Sequence, residues 1–496
     1  MTWDRASQHE YDVWEKLGNK GWNWSTMIRA MLKVENFFPS DKYGKAGVGK
    51  GGPIQTLINR FFPSHQEYFI PTLGNLGIEP NLESLGGNPI GVMFQPSNIR
   101  HSDYRRSYSA HNPGYDSIDG KNLHILTNTR VRKINFARHN GELVATGVTL
   151  EDNSTISASR EAIVSAGSLQ SPGLLELSGI GDEAVLSAAG TSCLLHLPGV
   201  GENLQDHLRI ETSYQLLPGY TSFDILRYNA TFASEQMVLY NSNATSMYDY
   251  TGSGYAFVNW TQALGDEPAL KTLAQQAANN PITSSPFEHT RAQILLEYLS
   301  NDAGNVPQVE IVFSDGYTGV KGYPVVSSPL YGSGFFTLIA SVQHPYSLGS
   351  VHITSSSIST APAINPNYLA QEYDVQAAIT AVKYLRTIAN TTPLSQAWSI
   401  EYEPGLDVVG TGADADAQWR DYVVNNTLTI YHPIGTCAML PRSQHGVVDA
   451  SLKVYGTRNL RVVDASVIPI LMSAHPQALI YGISEMAAEK IIEFWS

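Results

Sequence analysis

The chain has 496 residues, 43% of them hydrophobic and 15% charged, which is enough for two packed domains, since single cores stop growing at roughly 250–300 residues. A formal charge of −14 argues against nucleic acid as a partner, which would need a clustered basic face. No uncharged apolar run approaches the ~20 residues that cross a bilayer, and the richest, Val462 to Met472, is broken by Asp464 and Pro469, so a soluble protein with no membrane partner is expected.

The first region runs to about residue 110. Trp22, Trp24, Met27 and Met31 recur at helical spacing, which predicts a helix capped by Ser25 or Thr26. The glycine-rich stretch from Gly44 to Pro53 invites a phosphate-loop reading. That reading fails because no apolar strand precedes it and Pro53 disfavours a helix directly behind, so a surface turn or lid is expected.

The second region, about 115 to 215, alternates strand-like and helix-like patterns. Leu123 to Thr127 reads as a strand, Arg130 to Phe136 alternates with period two, and Ala145 to Leu150 follows a turn at His139 to Glu142. A further turn stands at Asp152-Asn153. Next, Glu161 to Ser165 forms a short apolar strand that ends in the small residues Ala166-Gly167-Ser168. A helix opens through Gln170-Ser171-Pro172 and stops at Ser178-Gly179. Strand, small-residue turn and helix can carry a dinucleotide at a sheet edge or serve as a plain structural βα turn, and the residues alone leave both open.

The third region, about 216 to 440, is rich in Tyr, Thr and Ser. Val309 to Phe313 and Phe335 to Ile339 are strand-like. Beyond it come Tyr431-His432-Pro433-Ile434-Gly435-Thr436-Cys437, the apolar run Leu460 to Val463 before Asp464-Ala465-Ser466, and Ser473-Ala474-His475-Pro476-Gln477 leading into a helix from about Ala478 to Phe494. A lone His near a glycine turn is more often a packed or capping residue than a catalytic one. No third ligand stands at metal spacing beside His432 or His475, so no metal is expected. The two cysteines, Cys193 and Cys437, make no disulfide framework.

Several of these segments together resemble the glucose-methanol-choline oxidoreductases, of the glucose oxidase and aryl-alcohol oxidase type. Gly167 to Pro172 through Ser178-Gly179-Ile180-Gly181 looks like the family's second signature. Pro198 to His207, and Tyr11-Asp12-Val13-Trp14 with Gly18 to Trp22, match further blocks. The resemblance runs nearly end to end and is weakest at about 216–340. It implies an α/β fold in which an FAD-binding Rossmann-like domain is joined to a substrate domain with an antiparallel sheet. The expected organisation is a lid and connecting region at 1–114, the FAD-binding domain at 115–215 and 441–496, and the substrate domain at 216–440.

The resemblance also implies chemistry. His432 would be the base that takes an alcohol's proton while hydride passes to N5 of the flavin, and His475 would orient the substrate hydroxyl. Imidazole suits this because its ordinary pKa of about 6.5 leaves a neutral base near neutral pH. Val131, Ala166, Gly167, Asp464, Ala465 and Pro476 would lie against FAD, with Asp464 alternatively a cap of the next turn. A small alcohol and oxygen or another electron acceptor are the implied partners.

One departure stands out. The family opens with a strand, a Gly-X-Gly-X-X-Gly turn and a helix that holds the diphosphate, and this sequence contains no such run. An incomplete FAD domain lacking its N-terminal βαβ unit, in a fragment of a longer flavoenzyme, is therefore expected. The alternatives are a non-redox member of the cyclase or dehydratase kind in secondary metabolism, and an inactive binding protein. Asn-X-Ser/Thr acceptors at Asn23, Asn153, Asn229, Asn243, Asn259, Asn390 and Asn425 point to a secreted, glycosylated native product.

Overall fold

The computed structural model describes residues 1–111, 122–252, 254–264, 268–283, 285–300 and 306–496. The expected boundary at 114/115 lies outside them.

Helix α1 (Gln8–Lys16) starts at a capping box in which Ser7 and Glu10 satisfy each other's backbone N–H groups. Helix α2 (Trp24–Val34) is capped by Asn23, not by Ser25 or Thr26: Asn23 Oδ1 accepts the Thr26 N–H at 3.2 Å, and Thr26 Oγ1 accepts the Asn23 N–H at 3.3 Å. Thr26 is thus the third residue of the box, and Trp22 lies before the helix. Strand β1 (Glu35–Phe37) pairs in parallel with β2 (Ile54–Thr56). The glycine-rich stretch between them is more than a surface turn. A Cβ at Gly49 would meet the Leu32 carbonyl and one at Gly52 the Val34 backbone, so glycine is what lets the segment lie against the end of α2.

The stretch Leu123–Thr127 forms no strand. Leu123, Ile125 and Leu126 are exposed and no strand among the described residues pairs with them, and a β run without a partner cannot satisfy its backbone. After β3 (Gly91–Phe94), the expected ribbon does form, as β4 (Val131–His139), β5 (Glu142–Leu150) and β6 (Thr155–Ser157) in one antiparallel sheet. Asn140 and Gly141, both at positive φ, make its two-residue turn. Strand β7 (Ala162–Val164) leads through Ala166-Gly167-Ser168 into α3 (Ser171–Leu177).

The large sheet is built from β8 (Leu208–Leu216), β9 (Gly254–Val258), β10 (Val309–Asp315), β11 (Phe335–Val342), β12 (Trp398–Glu403) and β13 (Leu428–Thr429), together with β3. Its order is β12-β8-β11-β10-β9-β3, with β13 also on β8, and every pairing is antiparallel. The sheet therefore reaches outside the expected 216–440, drawing β3 from the first region and β8 from residue 208 onward. Period-two alternation gives it two faces. Val309, Ile311 and Phe313 enter a core covered by helix α4 (Glu372–Asn390), whereas Glu310 and Val312 point to the opposite face with Met93, Tyr255, Phe257 and Ile339.

A second core joins β4, β5, β7, α1 and α2 to residues 434–487. Here β14 (Leu460–Val462) pairs in parallel with β7, residue 460 opposite 162, and helix α5 (Pro476–Trp495) packs along α2. Ile434, Cys437 and Met439 belong to this core and Ala438 and Leu440 to the core of the large sheet, so the segment after His432 runs between the two halves.

Candidate active site

His432 is fixed by the tripeptide that enters β8. Gln205 and Ile434 exchange backbone hydrogen bonds at 3.2 and 2.9 Å, which brings Asp206 and His207 to its side. Asp206 Oδ1 accepts the His432 N–H at 2.9 Å, and its Oδ2 accepts hydroxyls of Tyr368 and Thr429, each at 2.5 Å. The imidazoles of His207 and His432 meet Nδ1 to Nδ1 at 2.9 Å. Tyr431, just before, is 77% exposed and holds φ at 66°, a backbone that L side chains seldom adopt and that turns His432 inward.

His475 caps α5 from the other side of the site, its ring centroid 4.7 Å from that of His432 and nearly perpendicular to it. Asp4 accepts its backbone N–H at 2.9 Å and lies 2.7 Å from its Nδ1, and Glu310 of β10 stands 3.6 Å from its Nε2. Tyr255 of β9 meets the ring edge-on at 5.7 Å.

These surroundings drive the two histidines apart. Burial, then the neighbouring His475 and His207, hold His432 well below its ordinary pKa, so it is neutral. For His475 burial also opposes the cation, but Glu310 and Asp4 outweigh it and raise the group to about 9. Burial in turn lifts Glu310 to about 7. A neutral imidazole beside a cationic one is the division of labour that acid–base work requires. Asp4, Glu310 and His475 are also close enough to surround a metal ion, but protonated His475 already supplies the positive charge between the two carboxylates.

Both histidines line a cavity of about 750 Å³ with Tyr431, Asp464, Pro476 and Tyr481. A second cavity of about 630 Å³ is lined by Val131 and Ala166, and the two meet at Ile163 and Ser165 on β7. Gly167 and Ala465 line neither. Asp464 does cap the turn after it, accepting the Ser466 N–H at 2.8 Å. Its other oxygen accepts Gly167 N–H at 2.9 Å and Ser171 Oγ at 2.5 Å, so it also ties β14 to the turn before α3. The residues suit a flavin dinucleotide at the histidine end: Ile163 is 47% exposed within a strand, apolar surface that a flat ring covers, and the first turn of α5 offers its N–H groups.

The sequence reading did not find Asp4, His207 and Glu310. Asp4 precedes the first helix and Glu310 looks like any acidic residue in an amphipathic strand. Only the Gln205-Asp206-His207 block carried a signal, because it closes the Pro198 to His207 segment in which the resemblance lies.

The chain matches the GMC oxidoreductase N-terminal family model over residues 1–209 and the C-terminal one over 345–484. A GMC oxidoreductase family protein, Mala s 12 of Malassezia sympodialis, is 34% identical over 98% of this chain and 77% of its own length. Patulin synthase of Aspergillus clavatus is 29% identical over 98% of this chain and 75% of its own. The solved structure of a fungal aryl-alcohol oxidase superposes with a TM-score of 0.86 at 28% identity, covering 100% of this chain and 84% of that one. The chain belongs to the GMC oxidoreductases, and it is an oxidoreductase whose cofactor is FAD.

Proposed function

We propose that the site oxidises a small alcohol to the carbonyl compound, with His432 as base and His475 as the group that holds the alcohol oxygen. The observation that carries this reading is a neutral and a cationic histidine facing one cavity, their ring centroids 4.7 Å apart. When bound, FAD accepts the two electrons that leave the carbinol carbon as hydride.

The chain's own residues do the rest. Neutral His432 takes the hydroxyl proton, which raises the electron density on oxygen and makes loss of hydride from the adjacent carbon favourable. His475 donates a charged hydrogen bond to that oxygen, strongest while it is most anionic. Asp4 and Glu310 keep His475 charged. Val131 and Ala166 in one cavity, and Asp464 and Pro476 in the other, are the residues against which FAD would lie, with Gly167 and Ala465 supporting them from the turns behind. Tyr431 and Tyr481 give the histidine cavity aromatic walls, which favours an aromatic or unsaturated alcohol, in keeping with the aryl-alcohol oxidase neighbour and the patulin synthase relative. Oxygen or another acceptor would reoxidise the flavin.

Anaerobic mixing of the flavin-loaded protein with primary alcohols tests this. Bleaching of the flavin, slowed when the carbinol hydrogens are replaced by deuterium, is expected. An alcohol that is bound and converted with the flavin still oxidised would favour the non-redox reading, and binding without conversion the binding protein.

A further inference from the structure

The run that carries His475, residues 468–475, is buried almost throughout and lies in neither a helix nor a strand. Buried backbone without a ladder must find its hydrogen bonds elsewhere. This run finds them in side chains, at alternate residues. Gln205 takes the Pro469 carbonyl and the Leu471 N–H, Glu10 accepts the Ser473 N–H at 2.7 Å, and Asp4 accepts the His475 N–H at 2.9 Å.

We infer that Gln205 is a positioning residue that ties the His475 segment to the His432 segment and so sets the spacing of the two histidines. This deepens the alcohol-oxidation reading and rests on it for its catalytic consequence. The main chain of Gln205 is bonded both ways to Ile434, beside His432. Its side-chain amide serves the other segment as the peptide of a neighbouring strand would: Nε2 donates to the Pro469 carbonyl at 3.0 Å and Oε1 accepts the Leu471 N–H at 3.1 Å. These partners also fix which way the amide points. A carbonyl can face only the NH2, and an N–H only the oxygen. The remaining capacity is used too, Nε2 donating to Asn203 Oδ1 at 3.1 Å and Oε1 accepting from Arg291 Nη1 at 3.5 Å.

Asn203 repeats the tie, its Nδ2 donating to the carbonyls of Gly435 at 3.3 Å and Pro469 at 3.1 Å. Gly435 is what lets both amides approach. A Cβ there would stand 2.4 Å from the Asn203 carbonyl oxygen, 2.9 Å from Asn203 Nδ2 and 3.3 Å from Gln205 Nε2. The two segments also pair directly, through the N–H groups of Gly435, Cys437 and Met439 and the carbonyls of Ala465, Ser466 and Val467. That pairing ends 475 − 467 = 8 residues before His475. Beyond it, the hydrogen-bonded ties between the segments among the described residues run through Asn203 and Gln205. Asp4 holds His475 to the N-terminal segment, whereas Gln205 holds it to the base. Two groups that act on one alcohol oxygen must keep their separation closely, because a misplacement of about 1 Å can cost on the order of 10²-fold in rate.

The test uses the flavin-loaded protein and Gln205→Met, which keeps the length of the side chain and the main-chain bonds to Ile434 but removes the amide. The Leu471 N–H should exchange faster with deuterium while the Ile434 N–H stays protected. The limiting rate of flavin reduction by alcohol should fall by about 10-fold. With His475→Asn already in place, the same substitution should cost less than about 2-fold, because the group it positions is gone. A general loosening of the protein would instead multiply the two losses. Gln205→Asn keeps an amide on a stem one carbon shorter, too short to span Pro469 and Leu471, so it should show the same pattern and carries the test if the Met variant loses its flavin. Unchanged exchange at Leu471, unchanged reduction, or losses that multiply would overturn the inference. Full-rate reduction in His475→Asn would instead reject the role given to His475 in alcohol oxidation, and exchange at Leu471 would still judge the tie made by Gln205.

Discussion

Asp4 holds His475 at two points, the backbone N–H at 2.9 Å and Nδ1 at 2.7 Å, so one carboxylate both caps the start of α5 and pairs with the ring that faces the cavity. Its second task is electrostatic, shared with Glu310 on β10. The fourth residue and a residue of the large sheet thus converge on one imidazole, and the α/β half and the sheet are joined at the cavity that the two histidines line.

This predicts the pH dependence. The folded-state pKa of His475 is raised to about 9, so the stabilisation from its cation is fully present below the unfolded value near 6.5 and is lost as pH rises through about 9. Flavin reduction should therefore fall off on an alkaline limb near pH 9. In Asp4→Asn the amide oxygen can still accept the His475 backbone N–H, but the NH2 in the place of the second oxygen cannot accept from protonated Nδ1 and the charge is gone, so that limb should move toward neutrality. Limiting reduction rates measured from pH 6 to 10 check this, and a limb that stays in place would mean that Asp4 is not what keeps His475 charged.

A second pair near the N-terminus concerns stability. Arg5 and Glu35 form an ion pair at 2.7 Å with both side chains fully buried, and Glu35 also accepts the Gly49 N–H at 3.0 Å and Thr56 Oγ1 at 2.8 Å. Arg5 additionally donates to the Gly47 carbonyl. Removing one partner strands the other charge, so Glu35→Ala should cost about 3–5 kcal/mol in urea unfolding. A loss below about 1 kcal/mol would show that the stretch from Gly44 to Pro53 is not anchored by this pair.

How much of this was legible follows from which interactions are local. The β4–β5 hairpin, the turn into α3 and the segments around His432 and His475 could be read because turn residues and small residues stand beside the strands and helices they terminate. Leu123–Thr127 has the same surface pattern as a strand but lacks a partner among the described residues, which its own residues could not reveal. Asp4, His207 and Glu310 were out of reach for the same reason. Each acts through a neighbour far away in sequence, 471 residues for Asp4 and His475, 225 for His207 and His432, and 475 − 310 = 165 for Glu310 and His475. Asn23 was passed over as a cap because the helical spacing of the apolar residues begins at Trp22, before the helix does.

The acceptor asparagines can be ranked by exposure. Asn153, in the turn after β5, is exposed at positive φ, and Asn229, Asn243, Asn390 and Asn425 are exposed as well. Asn23 is half-buried and its amide donates to Glu15 at 2.8 Å. Material secreted by a host expressing the native gene should therefore carry glycans on the exposed sites, Asn153 among them, and not on Asn23. Enzymatic deglycosylation followed by peptide mass mapping measures this, and an unchanged mass would reject secretion through a glycosylating pathway.

The two histidines should differ in what their loss does. His432→Ala removes the proton acceptor, and a positioned base contributes about 10²–10⁴-fold, so the rate of flavin reduction should fall by that much with FAD still bound. His475→Asn keeps a hydrogen-bond donor toward the substrate oxygen but not the charge, so about 10-fold is expected from lost orientation and electrostatics. The cost of the second substitution falls elsewhere: Asp4 and Glu310, both buried, lose the cation between them, and Glu310, already raised to about 7, should take up a proton instead. The His475 variant should thus lose thermal stability more than the His432 variant while losing less activity. Stopped-flow reduction under anaerobic conditions and melting curves on the same preparations measure the two effects separately. Unchanged reduction in His432→Ala, or a larger loss of reduction in His475→Asn, would overturn the assignment of His432 as the base.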